Sequence, residues 1–425
     1  MTRPGERAGP TASPDGVPSQ PRARLIPFIA GVAGIGLLIV AYHALTWRGF
    51  VANVGFCTPV FCDFLDYYYP MGEAVFRTGL PVEGFLYSPF MAILLAVFPL
   101  LGLNASIVIW GILQGIFIIL YLLLFRRLVP ADLTLQLLFL VLALSSYPIA
   151  LNFLGGQVSV FMLVALLGML VAMERGHPAI AACLLAFAVS FKFYPIIFLA
   201  PFVAGRDTRF LLFATAACVT FIFVIPAVFL GGSDTVGFYG ALFDAFRDSE
   251  WVAANPHSNF LPHVVIRLAD AIGYDAQTHR PLLYVITYGM AAANMGLLFL
   301  IQRARLSHAG LWSSQIVFLT IPFVFKTSWP HDMVFLSFTQ ALLTWRLLGN
   351  RTHARVVMAL LLLLPSIIIS NIVFFNLLDN FSAYGFCGFL FWANLLCLIA
   401  IYVEFLPPAL RRFRGMDAEG SVGQA

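Results

Sequence analysis

The apolar positions of this chain fall in long unbroken runs, such as 107–125, separated by short polar breaks. A run of ~20 apolar residues is what a helix needs to cross ~30 Å of hydrocarbon. A membrane β-barrel would show ~10-residue segments of alternating character instead. The pattern therefore predicts an all-α polytopic membrane protein with about 12 transmembrane helices. They fall near 25–45, 105–125, 133–151, 158–173, 179–191, 193–205, 210–230, 281–301, 311–325, 331–348, 355–375 and 384–406. The pair 179–191 and 193–205 is too short to cross unless the helices bend or the bilayer thins. Residues 1–24, rich in Pro, Gly, Ser and Arg, read as a disordered tail. The segment 25–45 lacks a small-residue cleavage site and reads as an uncleaved first helix of a transmembrane domain over 25–406. Residues 407–425 form a second tail.

Charge then orients the helices. With a cytoplasmic N-terminus, only Arg48, Arg77, Lys192, Arg247, Arg267, Arg280 and Lys326 of the 24 Lys and Arg residues fall outside or at the outer edge. This is the bias of the positive-inside rule. It requires that 86–103, interrupted by Pro89 and Pro99, lie on the outer surface rather than cross. Two long external loops result, about 46–104 and 231–280, which hold half of the 20 acidic residues, and both tails are cytoplasmic. The expected location is the cell membrane, with the functional face outside the cytoplasm.

Composition agrees: 61% of the 425 residues are hydrophobic and 10% charged, against roughly 25% charged in soluble domains. The net charge of +4 gives no support to nucleic-acid binding. Cys183, Cys218, Cys387 and Cys397 lie in apolar helices and read as packing thiols. Cys57 and Cys62 flank Thr-Pro-Val-Phe in the first external loop, where a disulfide and two free thiols both stay open.

That loop continues Cys62-Asp63-Phe64-Leu65-Asp66-Tyr67-Tyr68-Tyr69-Pro70, dense in carboxylates and rings. A carboxylate screened from water by aromatic side chains can hold a raised pKa and act as a general base. Asp66, one helical turn from Asp63, would share a similar face if the segment is helical. The plainer alternative is a solvated loop with interfacial tyrosines. Lys192, His331 and Lys326 are outer-edge groups suited to a phosphate, with Arg267 a weaker candidate. Against this, Lys192 could simply snorkel to the headgroups, His331 and Asp332 could cap a helix, Lys326 and Arg267 could be interfacial anchors, and Gly155-Gly156-Gln157 could be a tight turn between spans. No His/Cys/Asp cluster has metal-ligand spacing, so no bound metal is expected. The rival class is a secondary transporter or flippase, which would place ionisable residues at the midplane and show internal repeats.

The stretches Asp63-Phe64-x-x-Tyr67-Tyr68, Gly79 and Tyr87-Ser88-Pro89-Phe90 resemble the pattern after the first span of glycosyltransferase family 87. Gly156-Gln157-Val158-Ser159, Phe191-Lys192-Phe193-Tyr194-Pro195 and Trp329-Pro330-His331 are similar to further stretches of that family. The resemblance runs from about 25 to 400. It implies the GT-C fold, with external juxtamembrane helices in the first loop, and a polyprenyl-phosphate sugar as donor, with mannose or arabinofuranose as the sugar. It also implies inverting transfer to a glycolipid or polysaccharide, and it selects Asp63 over Asp66 as base. Membrane lipids, the donor and the acceptor are the expected partners. Tyr67, Tyr68, Tyr87, Gln157 and Ser258 are the expected substrate contacts, with no cofactor and no required divalent metal. The chain departs from the family at Asn255-Pro256-His257-Ser258, where Asn-Gln-Ser is usual, and this puts the acceptor contacts there in doubt.

Overall fold

The computed structural model describes residues 41–42, 45–52, 54, 57, 59–129, 132–247, 255–349 and 352–415. The expected first span, 25–45, falls outside them except for Ala41, Tyr42 and Leu45, as do the tail 1–24 and the end of the C-terminal tail. The described residues are helical throughout; the only bridge among them is an isolated antiparallel one between Ser146 and Asn371. Among the described residues four helices are long and apolar enough to cross a membrane: Leu103–Leu128, Thr208–Leu230, Gln277–Arg303 and Phe381–Phe413. The bent pair Tyr147–Gly155 and Ser159–Glu174 makes a fifth if counted as one span. The other expected spans within the described residues are shorter or broken.

Leu103–Leu128 shows the logic of the bundle. Ser106, Trp110, Gln114, Tyr121 and Phe125 are buried, while Val108, Ile112, Ile116, Ile119 and Leu123 are exposed. This is the reverse of a soluble helix. Lipid is as apolar as leucine, so aliphatic residues gain nothing by turning inward, and polar groups do. Buried bonds between helices follow: Asn294 Nδ2 donates to Thr320 Oγ1 at 3.1 Å, Thr339 Oγ1 to Gln315 Oε1 at 2.7 Å, and Gln340 Nε2 to Ser366 Oγ at 3.0 Å. Each contributes on the order of 0.6 kcal/mol in a membrane setting.

The expected span 133–151 is in fact two helices, Leu133–Leu144 and Tyr147–Gly155. Ser146 caps the second, and Pro148 sits in its first turn, where a missing N–H costs nothing. The expected span 355–375 also breaks, at Asn371, which caps Ile372–Leu378. The two breaks meet: Tyr147 N–H donates to Ser370 O at 3.0 Å and Ile372 N–H to Ser145 O at 2.8 Å. Backbone groups freed by one break are thus satisfied by the other, which an apolar interior demands.

Gly155-Gly156-Gln157, one alternative for which was a turn between two spans, is the apex of the bent pair, whose helices meet at 119°. Gly156 has φ +68°, and a Cβ there would lie 2.9 Å from Trp110 Nε1 and 3.1 Å from Phe61 Cβ. A Cβ on Gly155 would lie 3.0 Å from Asp63 Oδ2. Two glycines let the first loop press onto the bend.

That loop carries a Cys57–Cys62 disulfide, a π-helical turn Phe64–Tyr68 and the helix Tyr69–Thr78. The segment 86–103 forms only Pro89–Leu95 and the 3₁₀ turn Pro99–Leu101. The region 231–280 holds the helices Gly232–Arg247 and Leu261–Ala271.

Gly156→Ala is expected to lower the unfolding free energy by at least about 1–2 kcal/mol, the cost of a left-handed non-glycine residue, with the steric clash in addition. Thermal unfolding in detergent reads this, and an unchanged midpoint would be incompatible with the apex as described.

Candidate functional site

A cavity of about 1110 Å³ opens beside the apex of the bent pair and the first loop. Asp63, Tyr67, Tyr87 and Gln157 line one part of it, and Lys192, Lys326 and His331 another. Four of these sit at helix ends or short turns. Asp63 precedes the π turn, Gln157 follows the apex, Lys192 ends Pro178–Phe191 in an extended conformation, and His331 lies in the 3₁₀ turn Pro330–Met333.

Gln157 is the node. Its Nε2 donates to Asp63 Oδ2. Its Oε1 lies 2.9 Å from the Tyr68 hydroxyl and 3.0 Å from the Tyr87 hydroxyl, which are themselves 2.6 Å apart. Two hydroxyls at the oxygen fix the amide with its nitrogen toward Asp63. Its backbone carbonyl accepts from Gln114 Nε2 at 2.8 Å. Tyr68, expected to touch substrate, stands fully buried behind the cavity as part of this lock.

Burial pushes the Asp63 carboxyl up to about 6, offset in part by the Gln157 hydrogen bond and the Lys192 charge, with Asp66 raising it slightly. A carboxyl near 6 is matched to taking a proton close to neutrality.

Lys192 is held by a residue not among the expected site residues. Its Nζ donates to Asp332 Oδ1 at 2.7 Å and lies 3.3 Å from His331 Nε2. A charged ammonium has only donors, so His331 accepts at Nε2 and is neutral. Burial opposes the Lys192 charge, but Asp332, Tyr87 and Asp63 more than restore it, so its pKa is raised. Asp332 Oδ1 also accepts from Ser159 Oγ at 3.0 Å, and Oδ2 accepts from the Trp329 backbone N–H at 3.1 Å. Asp332 therefore does cap its turn, as the plainer alternative held, and pairs with Lys192 as well. Lys326 sets its ammonium 5.6 Å from the centre of the Tyr284 ring.

Three expected residues are elsewhere. Asp66 is exposed and absent from the cavity wall. The chain takes an i→i+5 turn there, with Tyr69 N–H bonded to Phe64 O, so three residues fall well short of a full turn and the two carboxylates do not share a face. Arg267 does not reach the cavity. Its guanidinium donates to backbone carbonyls of Ser258 at 2.8 Å, Asn255 at 3.3 Å and Gly385 at 3.3 Å. It fastens the 255–258 turn to the helix Phe381–Phe386. Ser258 is fully buried, its hydroxyl 2.7 Å from His263 Nδ1 and 3.2 Å from Lys326 O.

The residues they fasten face the cavity instead. Asn255, His257, Asp379, Asn380 and Ser382 form a polar wall. The His257 ring lies on Phe381, centroids 3.8 Å apart, and burial, then Arg267, lowers its pKa to about 4, so it is neutral. The sequence offered no signal for Asp379–Ser382, which the expected topology placed as an ordinary connection. Among the described residues no group of three His, Cys, Asp or Glu side chains is arranged to hold a metal ion.

Apolar helices long enough to cross a bilayer, together with a cavity that holds a carboxylate and cations, point to a membrane protein with a polar site. Residues 85–328 match the model of glycosyltransferase family 87, more than half of the chain, and the chain belongs to this family of membrane glycosyltransferases. No curated protein and no solved structure is significantly similar to it. The matched stretch contains Tyr87, Gln157, Lys192 and Lys326; Asp63 and His331 lie outside it but are tied to it through Gln157 and Lys192.

The protonated Asp63 carboxyl, followed by its infrared C=O band and identified by loss in Asp63→Asn, is expected to titrate at about 6. In Gln157→Leu the midpoint should move up, since the lost hydrogen bond favoured the charged form. A downward shift would mean that the amide does not stabilise the carboxylate.

Proposed function

We propose that the protein transfers one sugar, mannose or arabinofuranose, from a polyprenyl-phosphate donor to a glycolipid or polysaccharide acceptor, with inversion. The observation that carries this reading is the meeting, in one cavity, of a buried carboxylate near pKa 6 with two lysines and a histidine. Asp63 takes the proton of the acceptor hydroxyl as its oxygen attacks the anomeric carbon. The bond from that carbon to the phosphate oxygen breaks, and the polyprenyl phosphate leaves with the electron pair. Lys192 has donors beyond those given to Asp332 and His331 and, with Lys326, meets the charge that develops on the phosphate. Protein cations suffice for this leaving group without a divalent metal. The lipid chain enters between helices beside Phe246, Tyr288 and Phe325, apolar or aromatic residues of the cavity wall. The fold is GT-C with about 12 spans, and the site faces away from the cytoplasm.

Purified protein is incubated with radiolabelled polyprenyl-phosphate mannose, or with the arabinofuranose donor, and a membrane glycolipid extract. Transfer by the wild type should rise with pH through about 6 and then level off, because the unprotonated carboxylate is the active form. Asp63→Asn should lose ~10²–10⁴-fold. Equal transfer by both proteins would remove Asp63 as the base, and no transfer from either donor by the wild type would overturn the donor class. In intact cells, a single reactive cysteine placed at Tyr67 should be labelled by an impermeant maleimide from outside; labelling only from the cytoplasm would reverse the orientation.

A further inference from the structure

Asp63 follows directly on Cys62, whose disulfide to Cys57 closes the preceding turn. Both sulfur-bearing residues are buried, at 0% and 3% exposure, so the link lies within the packed site and not on a loose loop. Between them, Phe61 is held at φ +68°, a conformation that costs a bulky residue about 1–3 kcal/mol unless its surroundings impose it. In that conformation Phe61 N–H donates to Leu154 O at 2.6 Å, the ring packs on Phe153 with centroids 5.4 Å apart, and its Cα and Cβ rest where Gly156 lacks a side chain. The turn is thus clamped onto the apex that presents Gln157. The next residue after the clamp is Asp63, whose carboxylate reaches that glutamine.

We propose that the Cys57–Cys62 disulfide is the positioning element of the catalytic base, and that it makes transfer conditional on an oxidising environment. This rests on the reading of Asp63 as base. A dithiol reductant supplies two electrons and two protons: the S–S bond becomes two cysteine thiols, and the dithiol closes to its own disulfide. Once the turn is open, nothing covalent opposes relaxation of Phe61 to a negative φ, and Asp63, one peptide unit beyond Cys62, shifts from Gln157 and gains water. A displacement of ~1 Å at a reacting group can cost ~10²-fold in rate. Neither charge that acts on Asp63, on Lys192 or on Asp66, belongs to the disulfide-closed turn, so the effect comes through position and hydration.

The test uses the full-length protein in detergent: wild type as purified, after dithiothreitol with both thiols confirmed by mass after alkylation, and after reoxidation, beside Cys57→Ser/Cys62→Ser. The Asp63 infrared titration and sugar transfer are measured on each. In the oxidised protein the midpoint stands at about 6. On reduction and in the double variant it should fall toward the ~3.9 of a solvated aspartate, opposite to the effect of Gln157→Leu, and transfer should fall ~10- to 100-fold. Both should recover on reoxidation. An unchanged titration and unchanged transfer after complete reduction would overturn the proposal. So would global unfolding on reduction, seen as loss of the near-ultraviolet circular dichroism, because the disulfide would then hold the fold and not the base. A titration that moves as expected in a protein that transfers from neither lipid donor keeps the positioning role and refutes the donor reading instead.

Discussion

The site depends on the Gln157 side chain, whose two ends face opposite demands. Its oxygen is claimed by the Tyr68 and Tyr87 hydroxyls, which leaves its nitrogen for Asp63. Three further bonds hold the apex in place: Gln114 Nε2 on the Gln157 carbonyl, Asn152 Nδ2 on Gln114 Oε1 and Trp110 Nε1 on the Gly156 carbonyl. The first loop, the long helix Leu103–Leu128 and the bent pair are thereby joined through one amide. Such a buried network is worth keeping only when every member is satisfied, since a half-satisfied one is worse than an apolar core. The two glycines at the bend are the condition for it, because a Cβ at either would crowd Asp63 or Trp110.

Two buried carboxylates in this cavity region have different tasks because of what lies next to each. Asp332 is in direct contact with Lys192 and accepts from a hydroxyl and a backbone N–H. It is committed as a permanent anion, and removing it would strand a buried ammonium at a cost of ~3–5 kcal/mol. Asp63 has an amide for its neighbour, with the lysine charge acting only from a distance, so burial prevails and its proton affinity rises. The same lysine therefore helps both: it pins Asp332 by contact and keeps Asp63 from rising further. With Lys192 paired to Asp332, the cavity's other lysine is Lys326, which has no carboxylate partner among the described residues and sets its ammonium over Tyr284, at the side where Tyr288 lines the wall.

What the sequence made legible follows from which physical signal each feature leaves in one dimension. Apolar runs announced a helical membrane protein, and short motifs drew attention to Asp63, Gln157, Lys192 and His331, all of which line one cavity. Helix breaks were not legible. The runs 133–151 and 355–375 are continuous in hydropathy, and the breaks at Ser146 and Asn371 are stabilised by each other's backbone, a pairing more than 200 residues apart that no local pattern carries. Asp66 was misplaced because an α-helical period was assumed where the chain winds as a π turn. Arg267 looked like a phosphate ligand because a buried arginine paired only with carbonyls has the same sequence signature as one awaiting an anion. Asp332 was read as a cap, and its ion pair with Lys192 depends on tertiary contact alone.

These misreadings share a cause that also explains where the cavity is. In an apolar bundle a continuous helix consumes its own backbone polar groups, whereas a break frees donors and acceptors that must be paired. Asp63, Gln157, Lys192, His331 and Asp379 all sit at helix ends, Asp379 in the left-handed conformation that closes Ile372–Leu378. Gathering helix ends around one cavity lets each satisfy its neighbours, and there the interior becomes polar enough to hold charged groups. The motifs thus pointed to residues of the site but not to the helix breaks that bring them together, and those departures from regular helix are what let a polar cavity exist inside an apolar protein.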